Sequence, residues 1–421
     1  MFFNWKPSRI FYGWWIVGAA FLIALYVGGV VFYGFTAIFE PIANEMGWSY
    51  TQISLAASLR GLELGLFAPI AGMLTDRLGP RRLIFGGALI TALGLFMLSR
   101  TTSLATFYGA FALISLGMSA TTLTVLMTAI ANWFRLKVGI ASAIAMSGYG
   151  FSGLLVPLIV KLIDTLDWRT TMAILAAGMV ALVLPLTFVF RHRPEQYGYQ
   201  PDGRKDIPIS PGASIAEPQT TELHIRTTQA LKTATFWRIA ATFMVHALLT
   251  GTVITHIMPS LSSIGVIRSR ASLMAMAVPI ISVAGRLGFG WMADKFDRRR
   301  IVATSFAMMT AGLLFFGYAQ SAGLWLLVPF LFLFGLGYGG STAVRPSIVS
   351  EYFGRANFGS IFGFIVGINA IGAIVGPPVA GWVYDNWGSY QSVWLVYAGL
   401  AFVAVLLIFN ISRVNIPRES G

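Results

Sequence analysis

The feature that most constrains this chain is a run of apolar residues, about 20 or more long, that recurs from one end of the sequence to the other. As a helix rising about 1.5 Å per residue, each run can cross a hydrocarbon core roughly 30 Å thick with its backbone polar groups bonded internally. Twelve can be marked, near residues 12–39, 51–76, 82–99, 105–132, 138–163, 169–190, 236–260, 270–294, 300–319, 323–349, 358–384 and 390–412. Composition agrees, with 56% of the 421 residues hydrophobic and 11% charged, and a mean hydropathy of +0.74, beyond the range of soluble domains. The first run is too long for a signal-peptide core and lacks a small-residue cleavage site, so it is expected to stay as segment 1.

The net charge of +13 has a topological reading. Arg60 and Arg286 lie inside apolar segments, and Arg100, Lys161, Arg169, Arg268 and Arg270 fall in odd-numbered connections. The other basic residues are assigned to the ends and the even-numbered connections. That asymmetry predicts cytoplasmic termini and a multi-pass protein of the cell's inner or plasma membrane. Such short loops offer no folded basic surface, so nucleic acid is not an expected partner. With no cysteine, disulfides, thiolate metal sites and cysteine nucleophiles are excluded. "GYGFSG" (Gly148 to Gly153) has dinucleotide-loop lettering, but no strand precedes it and it sits inside segment 5, where it reads as close packing. No phosphate loop, His/acid metal spacing or paired nucleophile and base is found. No enzyme, cofactor or metal is therefore expected. The expected partners are the lipid bilayer, a small solute and protons, with the chain a monomer.

Residues 191–235 are polar, with "RHRPEQYGYQPDGRKD" and "SPGASIAEPQTTE", and predict a cytoplasmic linker between six-helix bundles at 1–190 and 236–421. The two bundles repeat each other. "GMLTDRLGPRR" (Gly72 to Arg82) closes segment 2, and "GWMADKFDRRR" (Gly290 to Arg300) closes segment 8. Segments 5 and 11 share an aromatic start, a glycine-rich middle, a proline and a terminal Asp/Asn-Trp. Same-orientation repeats predict a pseudo-twofold axis along the membrane normal and a site between the bundles near mid-membrane.

Gly72-x-x-x-Asp76-Arg77-x-Gly79-x-Arg81-Arg82 resembles the signature between helices 2 and 3 of the major facilitator superfamily. The resemblance implies an all-α membrane fold of twelve transmembrane helices in two pseudo-symmetric six-helix bundles, working by alternating access. It also implies a conformational latch: Gly72, Asp76, Arg77, Arg81 and Arg82 in the first copy, Gly290, Asp294 and Arg298 in the second, where Asp297 replaces a glycine. Topogenic charge alone is the plainer reading of the same residues. "YGWWIVGAAFLIALYVGGVVFYGFTAIFEPI" (Tyr12 to Ile42) resembles helix 1 of the monocarboxylate transporters and their oxalate:formate relatives. In that family a helix 8 arginine holds the substrate carboxylate, and Arg286 falls on it. The sequence departs from the family in three places. Ser282 stands where an acid often precedes that arginine, Tyr33 where some members carry a lysine, and segment 11 offers only Asn369 in place of a lysine. A second buried cation is therefore not expected, which favours a monocarboxylate such as lactate or pyruvate over a dicarboxylate.

Arg286 precedes Asp294 by eight residues, about 12 Å along a helix and close to mid-membrane. An arginine there costs roughly 2.5–3.5 kcal/mol to insert, so it faces a cavity or a partner. Its planar fork suits a carboxylate, while an internal ion pair would satisfy it structurally. Arg60 and Glu63 share one helical face, as a structural pair or with Glu63 carrying a proton. His256 is a candidate for substrate or proton, or else a bonded helix-end histidine, and His246 a weaker candidate. Tyr33, Tyr338, Asn369, Ser282 and Thr122 complete the expected substrate set, most hydroxyls of this kind being bonded to their own helix. Proton symport is the expected coupling. The alternatives are a carrier of a larger apolar or cationic solute of the efflux type, and a membrane sensor that does not transport.

Overall fold

A computed structural model describes residues 11–62, 74–75, 78–121, 123–134, 137–191, 194–197, 225–354 and 357–412. Every apolar run is helical wherever it is described, and no strand occurs among the described residues. Ten helices are long and apolar enough to cross a membrane: α1 (Gly13–Met46), α3 (Pro80–Ser99), α5 (Val138–Leu166), α6 (Trp168–Thr187), α7 (Ala234–Ser263), α8 (Arg268–Lys295), α9 (Arg298–Ala322), α10 (Leu324–Phe353), α11 (Phe358–Trp387) and α12 (Gln391–Phe409). α2 begins as Tyr50–Leu62, and α4 runs Leu104–Ser119 and resumes as Leu123–Trp133. Glu63, Gly72, Asp76, Arg77 and Thr122 lie outside the described residues, as does most of the 191–235 stretch.

The helices stop where the backbone must reverse. Gly47, at φ 66°, caps α1, and Gly388, at φ 63°, caps α11, a left-handed conformation that suits glycine. Asp167 holds φ 82° without being glycine. Its carboxylate accepts the Thr170 N–H at 2.8 Å and caps α6, which offsets the cost of that backbone. Large apolar side chains such as Leu287 (66% exposed) and Trp325 (67%) face outward, as a lipid-facing surface requires and a water-facing one would not tolerate in such number.

α1 starts and α12 ends on the same face, called here the terminal face; the opposite one is the far face. The first six helices pack on one another and so do the last six, with α2 on α11, α5 on α8 and α1 on α7 joining the halves. In the second half, α8, α9 and α10 are drawn together by missing side chains. A Cβ at Gly339 of α10 would lie 2.0 Å from the Ser282 carbonyl oxygen of α8, and one at Gly337 would lie 2.5 Å from that of Ser305 on α9. Backbones this close leave no room for sliding.

Among the described residues, the bonds joining the halves gather between mid-helix and the far face. Asp385 at the end of α11 accepts the N–H groups of Tyr50 (2.9 Å) and Thr51 (2.8 Å) at the start of α2. Arg268 at the start of α8 pairs with Asp164 at 2.9 Å and Glu40 at 3.9 Å, and donates to the Ala37 carbonyl at 2.6 Å. Thr36 of α1 accepts the Met258 N–H of α7 at 3.1 Å. The far side of the molecule is thereby shut.

Candidate functional site

Beneath this seal, between the halves, lies a cavity of about 190 Å³. Its apolar wall includes Phe32 and Ala57 from the first half and Pro377 from α11. Its polar lining is almost wholly from the second half: His246 and Thr250 of α7, Tyr338, Thr342 and Arg345 of α10, and Asn369 of α11. Tyr338, Thr342 and Arg345 are spaced i, i+4, i+7, hence on one face of α10. No Asp or Glu lines it among the described residues.

Arg286 stands at the edge of this group. Its guanidinium lies 5.8 Å from the Tyr338 ring centroid, and its Nε is buried with no hydrogen-bond partner. No described acid forms an ion pair with it. Tyr338 also bonds across the molecule, its hydroxyl 3.1 Å from that of Tyr33. Tyr33 belongs to a π-helical turn, Gly28–Tyr33, within α1; the wider winding re-aims the residues that follow it. Asn369 is buried with both its amide nitrogen and its oxygen unpartnered, and so is Nε2 of His246. The His246 ring stacks on Tyr338 at 5.8 Å and 30°. Buried polar atoms normally have partners, so three orphaned groups around one cavity mark a place shaped for a polar occupant.

Tyr338 and Asn369 thus line one cavity, with Arg286 facing the Tyr338 ring and Tyr33 bonded to the Tyr338 hydroxyl. Ser282 does not join them. Its side chain is buried and donates to the Pro279 carbonyl at 2.6 Å, on the side of α8 that meets Gly339. His256 is also elsewhere: it is fully buried, with Nε2 2.9 Å from the Pro377 carbonyl and 3.0 Å from the Ser54 hydroxyl, and Nδ1 2.9 Å from the Tyr390 hydroxyl. A carbonyl can only accept, so Nε2 carries the proton, and the ring braces α2, α7, α11 and α12 together near the far face.

Arg345 corrects the expectation that no second cation is buried. The basic-residue pattern counts it with the even-numbered connections although it falls within segment 10 (323–349), and it lines the cavity, its guanidinium 5.4 Å from the Phe243 ring centroid. It shares the cavity lining with Tyr338, the residue whose ring faces Arg286. The only sequence signal was its position inside an apolar run, eight residues short of Phe353.

On the terminal face the contacts recorded for the described residues of the repeated motif lie within their own halves. Arg298 pairs with Glu351 at 3.2 Å, a partner the motif did not point to, and Asp294 and Arg82 are exposed. Arg81 lies 4.6 Å over the Phe188 ring. Gly290 is not a close-approach site, since an added Cβ would meet only the Ala343 Cβ at 4.0 Å. Asp297, where the first copy has glycine, accepts the Arg299 N–H at 2.9 Å and caps α9.

Comparison with known proteins agrees with the fold. The family model "Major Facilitator Superfamily" matches residues 19–265 and 245–421. Monocarboxylate transporter 12 of Mus musculus is 25% identical over 427 residues, covering 96% of this chain and 88% of that protein. The oxalate:formate antiporter of Oxalobacter formigenes is 24% identical over 407 residues, covering 96% and 93%. Among solved structures, a bacterial homolog of the human lysosomal transporter Spinster, inward-facing and unoccupied, superposes with a TM-score of 0.72 at 14% identity, covering 96% of this chain and 98% of that one. The nucleoside transporter NupG superposes at 0.70 with 17% identity, covering 95% and 100%.

Proposed function

This chain belongs to the major facilitator superfamily, and from that premise we propose that it is a secondary active transporter of a small organic anion, moved by alternating access and coupled to proton symport. The observation that carries the reading is Arg286, a guanidinium with a buried, unpartnered Nε beside a cavity that no described acid lines. A carboxylate in its fork would supply the missing acceptor, worth about 1.5–3 kcal/mol as a charge-assisted bond. That is enough to select anions over neutral solutes. Tyr338 and Asn369 complete the anchor, with Tyr33 closing over it from the first half. The names of the relatives, monocarboxylate transporter and oxalate:formate antiporter, support a carboxylate of the size of lactate or pyruvate.

A volume of about 190 Å³, below the roughly 300–1,000 Å³ of sites for drug-sized ligands, disfavours the larger-solute alternative, and a cationic lining disfavours a cation. The far-face seal leaves access from the terminal face. With the termini cytoplasmic, as the basic loops argue, this is the inward-open state. The motif residues on that face then form a latch that engages when the halves close there. Proton symport rests on charge balance, because a proton carried with the anion neutralises what must cross. His256, in its brace, and Glu63 remain the candidate carriers.

The test is uptake of radiolabelled acids into proteoliposomes under an imposed pH gradient, comparing the wild type with Arg286→Lys. Lysine keeps the charge and loses the fork. Uptake by the variant should fall at least about tenfold, and an unchanged rate would refute the anchor. Acidification outside that fails to raise uptake would reject symport, and absence of counterflow would favour a sensor.

A further inference from the structure

Resting on the anion reading, we infer that the preferred substrate carries two carboxylates, held between Arg286 of α8 and Arg345 of α10. Arg345 lines the same cavity as Tyr338, and the Arg286 guanidinium stands 5.8 Å from the centroid of that tyrosine's ring. Neither forms an ion pair with any described acid. Two like charges this deep repel each other across a medium that screens them poorly, and charges in a membrane protein persist there when something pairs with them. One carboxylate satisfies one arginine and leaves the other uncompensated. A dianion satisfies both. The remaining orphans suit such an occupant as well: Nε2 of His246 and the amide of Asn369 line the same cavity as Arg345 and can bond carboxylate or backbone substituents without adding charge. A cavity of about 190 Å³ limits the solute to a short-chain dicarboxylate.

Labelled succinate and labelled lactate, presented to wild-type, Arg345→Gln and Arg345→Lys protein in proteoliposomes, test the inference. In the wild type, unlabelled succinate should compete with lactate at lower concentration than lactate itself. In Arg345→Gln the half-saturating concentration should rise at least about tenfold more for succinate than for lactate, with Arg345→Lys between. A merely structural role for Arg345 would move both acids alike, and that result would overturn the inference. So would a wild type that carries lactate with no competition from succinate, or a lactate saturation curve showing two ions bound together; each leaves the anion reading standing. If neither acid is carried and Arg286→Lys changes nothing, the anion reading itself fails and takes this inference with it. Should Arg345→Gln not reach the membrane, the wild-type competition and Arg345→Lys decide.

Discussion

Replacing Asp385 with Asn should open the far face. Its carboxylate accepts the Tyr50 N–H at 2.9 Å with one oxygen and the Thr51 N–H at 2.8 Å with the other, and the Thr51 hydroxyl donates to it too. It therefore closes the seal by capping the N-terminus of α2 from the opposite half, where a negative charge meets the positive end of a helix dipole. An asparagine keeps one accepting oxygen and turns an NH2 toward the other donor, so one backbone N–H loses its acceptor and the charge is lost with it. Charge-assisted bonds are worth about 1.5–3 kcal/mol, and because Asp385 is exposed the low end applies. About 1.5 kcal/mol is roughly a tenfold rise in the far-open population. The chain has no cysteine, so Ile257→Cys, 2% exposed in this state beside Tyr33 and Thr36, gives a background-free probe. A membrane-impermeant maleimide offered to the far face should label it about tenfold faster when Asp385→Asn is present. Equal labelling rates with and without the substitution would show that the cap does not hold the seal.

Two further outcomes follow from the packing and capping. Gly339→Ala places a Cβ 2.0 Å from a backbone oxygen of α8 and should cost about 1–3 kcal/mol, read as a lower Tm in detergent, whereas Gly290→Ala, with 4.0 Å of clearance, should leave the Tm unchanged. At Asp167, the Thr170 N–H holds the carboxyl below the usual carboxylate range. Its stabilisation is therefore complete above the unfolded-state value and lost as pH falls through the lowered folded value. Asp167→Ala should lower stability by about 0.5–1 kcal/mol at neutral pH, with the gap to wild type closing in acid; a gap independent of pH would show that the backbone strain, not the charge, dominates.

Much of the architecture is written along one dimension. Apolar runs of membrane length and a bias of basic residues between alternate loops need no knowledge of which way a side chain points, so the helices were legible. Arg286 was legible for the same reason, as one charge inside an apolar run. Arg345 was not, because a basic residue near a segment's end has an ordinary topogenic explanation and only its rotation about α10 brings it to the cavity. Rotation also separates the two histidines. His246, the weaker candidate on sequence, lines the cavity, while His256 is turned into the packing of α11 and α12. Ser282 stands where the resemblance implies an acid, yet its hydroxyl donates to the Pro279 carbonyl on its own helix. The π-helical turn before Tyr33 left no mark in the periodicity at all.

Under the proposed two-arginine site, the glycine contacts of α8, α9 and α10 bear on how the length of a solute would be read. Arg286 and Arg345 sit on helices whose backbones nearly touch, so when the two halves rock past each other this pair travels as one piece and the gap between its charges stays constant. Such a fixed gauge reads the same length of solute whichever side of the membrane is open. The half that bears Tyr33 supplies only the moving jaw.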